Sequence, residues 1–167
     1  IPFAMTGRPF TGGGRLREMV SLVDVAPTLL DACGMAIPED MQGRSFLPLL
    51  HGQKTEERDI LIQISETQVG RAIRTKRWKY SVEAPDKDPI KDAGALQYTE
   101  TFLYDLEHDP YELNNLIHSK AHEPVTNILA GKLKKLMEQA GEEVPEIIHV
   151  PKEKNGWLTV YPGEEQL

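Results

Sequence analysis

The stretch "VGRAIRTKRWKYSV", Val69 to Val82, decides the fold. Val69, Arg71, Ile73 and Thr75 alternate onto one face, and beyond a tight Thr75-Lys76 turn Trp78, Tyr80 and Val82 do the same. A period of two in β-branched and aromatic residues marks a strand, and two such runs joined by a short turn make an antiparallel hairpin. Upstream, "ILIQIS" (Ile60 to Ser65) alternates likewise. Downstream, "ETFLYDL" (Glu100 to Leu106) returns as a strand after the charged, turn-rich excursion "EAPDKDPIKDAGA". The expectation is a small antiparallel sheet of about four strands, with Trp78 in its core.

Such a sheet needs a cover, and "AHEPVTNILAGKLKKLMEQAGEE" supplies one. Val125, Ile128, Leu129, Leu133, Leu136, Met137 and Ala140 keep to one helical face. Pro124 suits a first turn and Gly141 an end. Lys132, Lys134 and Lys135 read as a solvated face near the negative end of the helix dipole. The sheet packed against the Glu123 to Gly141 helix gives an α+β fold. The segment after it, "VPEIIHVPKEKNGWLTVYPGEEQL", has no clean period. Its apolar residues, among them Ile147, Ile148, Trp157 and Tyr161, predict an extended tail lying on the domain or on a partner.

Ahead of the sheet the pattern changes. "SLVDVAPTLLDACG" reads as a short helix capped by Asp24, with Pro27 tolerated early and Gly34 just past its end. Val25, Leu29, Ala32 and Cys33 fall at helical spacing, which predicts a buried Cys33. "MAIPEDMQGRSFLPLLHG" runs as loop and one helical turn. "RPFTGGGR" lacks the Lys-Ser/Thr of a phosphate loop and reads as a surface loop. The domain organisation expected is residues 1–52, residues 53–141, and a tail, 142–167.

Composition bounds the partners. The 167 residues are 40% hydrophobic and 27% charged, with a net charge of -7. A dispersed acidic surface argues against nucleic acid and anionic membranes, which reward a basic face. No apolar run approaches the 18 or so residues of a membrane span. A single cysteine fits a reducing compartment, so a cytoplasmic location is a weak expectation.

Chemistry is sought first in "FLYDLEHDPYELNNL", Phe102 to Leu116, where Asp105, Glu107, His108, Asp109 and Glu112 crowd together. A hard cation needs convergent oxygens, commonly six or more for calcium. Each acid here has a local role instead. Asp105 ends a strand, Asp109-Pro110 starts a turn, and Glu112 stands at capping-box spacing ahead of a helical turn. Leu106, Tyr111, Leu113 and Leu116 are read as apolar anchors. Ser45 lacks a nucleophile elbow, and His118 and His122 are separated from a common helix by Pro124. The cations Arg71, Arg74, Lys76 and Arg77 could meet an anionic ligand. The plainer reading is that they are solvated or pair with Glu66 and Glu83.

Taken in order, "SLVDVAPTLLDACG", "IPEDMQGRSFLPLL", "RAIRTKRWKY" and "LYDLEHDPYELNNL" resemble the C-terminal part of the sulfatase family, within the alkaline phosphatase superfamily. The resemblance covers roughly Ile1 to Gly141. It implies that the first fifty residues are the severed edge of a larger alkaline-phosphatase-like α/β domain. It also implies a formylglycine nucleophile, made from Cys or Ser, and a calcium ion in a parent enzyme. Neither carries over to this sequence: Cys33 is followed by Gly34-Met35-Ala36, and no metal segment matches. The resemblance thus implies a fragment without catalytic or metal residues, partnered by an N-terminal catalytic domain and serving a sulfated small molecule or sugar. The same scaffold on phosphate or phosphonate esters, and a free-standing binding or assembly module, stay open. Apolar surface left bare on the Pro2 to Leu50 part predicts that the isolated chain self-associates or rearranges its N-terminal segment.

Overall fold

The computed structural model describes residues 3–53 and 57–153. The chain divides into two compact units, Ile1–Arg58 and Asp59–Leu167. Arg58, the last residue of the first unit, is ion-paired to Asp24 of the same unit.

In the first unit a 3-10 turn, Leu22–Asp24, leads into helix α1, Val25–Ala32, and a single turn, α2, spans Leu47–Leu50. Asp24 does not cap α1 as the sequence predicts. Its carboxylate accepts the N–H of Ser21 at 2.7 Å and of Arg44 at 2.9 Å, and it bonds the guanidinium of Arg58. Thr28 continues the tie, donating to the Asp24 carbonyl at 2.6 Å and accepting the Phe46 N–H at 3.0 Å. These bonds turn the buried face of α1 toward Pro27 and Thr28. The apolar face expected inside is therefore only partly covered: Val25 and Ala32 are half-buried, Leu29 is 47% exposed, and Cys33, predicted buried, is exposed. Gly34 does take the left-handed conformation, φ +70°, past the helix end.

The second unit is a five-stranded sheet in the order β1-β2-β3-β4-β5. The strands are β1 Ile60–Ile64, β2 Gly70–Arg74, β3 Trp78–Glu83, β4 Gln97–Asp105 and β5 Glu146–Ile148. The first four are antiparallel neighbours, and β5 joins β4 in parallel. The fifth strand lies in the segment read as tail. It is three residues long with only Ile147 buried, too short to show a period. Trp157 and Tyr161 lie outside the described residues.

One face of the sheet is closed by helix α3, Glu123–Gln139. Trp78, Tyr80, Val82 and Leu103 point into this core, where Val125, Leu129, Leu133 and Met137 of α3 meet them. Each such side chain contributes about 1.5–3 kcal/mol by leaving water. The buried stripe of α3 is rotated from the expected one: Thr126 and Ala130 are inside, while Ile128 is 41% exposed. Between β3 and β4 the register slips at Ser81/Val82, so Phe102 opposes Ser81 and Glu100 opposes Val82. The extra residue, Thr101, bonds Ser81 through its hydroxyl at 3.0 Å. This bulge flips the alternation of β4. Glu100 and Tyr98 are thereby turned inward, both nearly inaccessible.

Candidate functional site

The open face of the sheet, opposite α3, carries a concavity of about 310 Å³. Strand alternation explains its shape. Ala72 and Ser81 are small residues at its floor, and Ile62, Ile64, Phe102 and Tyr104 stand around them. The rings of Phe102 and Tyr104 stack at 5.8 Å and 14°. At one end Lys79 is ion-paired to Glu112 at 2.6 Å and lies over the Tyr104 ring at 6.0 Å. Burial, with the charges of Glu112 and Asp109, pushes the Tyr104 hydroxyl above its ordinary range. The Lys79 charge is thus met by Glu112 within this face.

The hairpin cations do not converge. Arg71 is 3% exposed and lies on the α3 side of the sheet. Its Nε bonds both oxygens of Glu142 at 2.9 and 3.0 Å, and its terminal nitrogens bond the carbonyls of Gly70 and Ala93. Arg77 grips Asp105 with two bonds, 3.0 and 2.6 Å, and stacks on Trp78 at 4.8 Å. The expected partners Glu66 and Glu83 are replaced by Glu142 and Asp105, acids brought in from other elements. Arg74 projects to the opposite face from Arg71 and bonds the Thr75 carbonyl at 2.9 Å. Burial draws its pKa down, and the charge of Glu112 partly offsets this. Lys76 is exposed at the hairpin tip.

The acidic cluster of Phe102 to Leu116 is spent on structure. Burial raises the carboxyl of Asp105, but bonds from Arg77, His108 and the Glu107 N–H outweigh it and hold it below the usual carboxylate range. Asp109 accepts the Asn114 N–H at 2.8 Å. Glu112 makes no capping box: no helix forms there, its backbone is left-handed at φ +57°, and its carboxylate reaches Lys79. Tyr111 and Leu113, expected to anchor the loop, are 81% and 84% exposed, and Leu116 alone of that pattern is fully buried. His122 is buried on Ser119 at 2.9 Å, while His118 turns to the Pro151 carbonyl. Among the described residues no group of three or more His, Cys, Asp or Glu side chains could hold a metal ion. Within the acidic stretch Asp105 is turned to Arg77 and His108, Asp109 to the Asn114 N–H and Glu112 to Lys79.

Glu100 is the charged residue that sequence reading missed. Its carboxylate, wholly buried, bonds Tyr80, His149, Val150 and Lys152. An alternation count places it outside. The signal against that count was the bulge, which leaves no mark in the sequence.

Comparison with known proteins gives a consistent result. Residues 5–139 match the family described as N-sulphoglucosamine sulphohydrolase, C-terminal. An ulvan-active sulfatase of Formosa agariphila is 30% identical over 90% of this chain, which spans 36% of that relative. Arylsulfatase K of Mus musculus is 32% identical over 70% of this chain and 21% of its own length. The chain thus spans about a third or less of these relatives. Among solved structures, one in complex with its substrate D-glucosamine-2-N,6-O-disulfate superposes with a TM-score of 0.57 at 24% identity, over 73% of this chain and 24% of that one. A 2-O GAG sulfatase gives the same TM-score and identity over 71% and 24%. At that identity the structures speak to the fold alone, and the fold agrees.

Proposed function

The chain belongs to the sulfatase family as its C-terminal domain, and from that premise we propose that it serves a sulfate-ester hydrolase as a non-catalytic wall of the substrate cleft. One observation carries this reading: the buried carboxylates Asp24, Glu100 and Asp105 are each committed to cations and backbone N–H groups of this chain. A hydrolase needs a nucleophile, its activator and a stabiliser for developing charge, and these acids are not available for any of those roles. The chemistry then falls to an N-terminal catalytic domain of the same protein, where the family resemblance puts formylglycine and calcium.

In this reading the bare apolar side chains Leu22, Val23 and Leu29 are covered by that domain. One relative is an ulvan-active sulfatase, which favours a sulfated sugar as substrate. Arg74 and Lys76, at the end of the β2–β3 hairpin, are the cations offered to its anionic groups. The test is a substrate panel on the parent protein containing this chain. Sulfate esters should be hydrolysed in preference to phosphate and phosphonate esters, and R74A/K76A should raise KM for a sulfated sugar more than for a small aryl sulfate. Preference for phosphate or phosphonate esters would overturn the sulfatase reading.

A further inference from the structure

The chain leaving β5 is held in an unusual way. Residues 149–153 bury no large apolar side chain completely; Val150 is only partly covered against the core. They are fixed chiefly by polar bonds to two places. The first is Glu100 on β4, which accepts from His149 Nδ1 at 2.8 Å, the Val150 N–H at 3.0 Å and Lys152 Nζ at 2.7 Å. The second is the loop before α3. There the Glu153 N–H bonds the His118 carbonyl at 2.7 Å, the Lys120 N–H bonds the Glu153 carbonyl at 2.9 Å, and Lys152 Nζ bonds the Ile117 carbonyl at 2.7 Å.

The two anchors differ in kind. The loop contacts are the backbone pairs of a short parallel bridge, Ser119 with Glu153, together with the Lys152 Nζ bond to the Ile117 carbonyl. Glu100 is a buried charge. Its side chain is inaccessible, and that of Lys152 is 5% exposed. From the core side Tyr80 donates to it at 3.0 Å. Burial and the Glu100 charge push the Tyr80 hydroxyl far above its usual range, so it remains a donor. Of the other charged groups nearby, Glu146 of β5 is turned to Gln97 and Lys120 to Glu123, while His118 Nδ1 meets the Pro151 carbonyl at 3.1 Å and so adds a bond from the loop to the strap. A buried ion pair that loses one partner strands the other, which makes such a network all-or-none. A segment with little apolar burial can open without the core.

We propose that residues 149–153 form a strap that opens and shuts as a unit over the loop leading into α3, and that Glu100 is its latch. Opening withdraws Lys152 and His149 together and bares the backbone of residues 117–120 while the sheet and α3 stay folded. The latch stands on this geometry alone and does not depend on the enzymatic reading.

Hydrogen exchange of the full chain tests it. Glu100→Gln keeps the shape of the side chain and removes its charge. The amides of Lys120, Val150 and Glu153 should exchange faster on the order of a hundredfold. Those of Tyr80, Leu103 and Leu133 should stay within about threefold. Tyr80→Phe, which removes the core-side bond and leaves the strap bonds, should not release the strap. If E100Q fails to fold, Lys152→Ala carries the same test from the strap's side, with a rise of about tenfold confined to the same three amides. Equal acceleration of strap and core would overturn the latch, since Glu100 would then be only a core residue. Unchanged strap amides would overturn it as well, since the backbone bridge alone would suffice.

Discussion

Helices α1 and α3 carry the same kind of apolar pattern, and they end in opposite circumstances. Helix α3 lays Val125, Leu129, Leu133 and Met137 against the sheet, each of them 0–1% exposed. Helix α1 leaves Leu29 about half exposed and is held instead by Asp24 and Thr28, through bonds to the loop at residues 44–46 and to Arg58. One unit is closed by apolar packing and the other by a buried carboxylate. The difference teaches that amphipathicity fixes what a helix must meet, and only the rest of the polypeptide fixes whether it meets it here.

The largest test of that contrast is in the closed unit. Leu133→Ala should cost about 2–5 kcal/mol through transfer and cavity terms, read as a lower urea midpoint for the Asp59–Leu167 unit. A cost below about 1 kcal/mol would deny that α3 and the sheet share one core. Asp24→Ala should cost about 3 kcal/mol, by stranding Arg58 and two N–H groups. The loss should be local: proteolysis within residues 20–50 accelerates while the urea transition of the second unit stays in place. Movement of both units together would break the comparison.

Acid should weaken the second unit in a set direction. Asp105 and Glu100 are both held below the ordinary carboxylate range against the raising effect of burial, by Arg77 and His108 in one case and Lys152 and His149 in the other. A depressed carboxyl contributes stability that is full above its unfolded pKa, about 4, and is lost as pH falls through its lower folded value. Urea midpoints should therefore be flat from pH 7 to 5 and fall below about 4. In D105N the fall should be shallower. The smallest effect belongs to the bare face of α1. Leu29→Gln should change stability by less than about 0.5 kcal/mol, yet reduce self-association of the isolated chain by light scattering.

Much of the second unit was legible. The alternation at Val69 to Val82 gives β2 and β3 nearly to the residue, and the heavy apolar stripe gives α3. Two features were not. Strand β5 is too short to carry a period, and its pairing comes from β4, far off in sequence. Glu100 was hidden by the bulge opposite Ser81 and Val82, which changes the face of every residue before it on β4. Among the hairpin cations, local sequence suggested Glu66 and Glu83 as partners, whereas the fold brings Glu142 to Arg71 and Asp105 to Arg77. Such partners depend on tertiary placement. The acidic cluster was readable as structural, but the role of Glu112 was not, because its partner Lys79 comes from another strand.

The most direct measurement of the account is turnover of an aryl sulfate with calcium by three proteins in parallel: this chain, the parent protein, and the parent lacking this chain. The account predicts that only the parent turns over efficiently. Robust turnover by the chain alone, or full activity of the parent without it, would contradict the assignment of a non-catalytic domain that completes the substrate cleft.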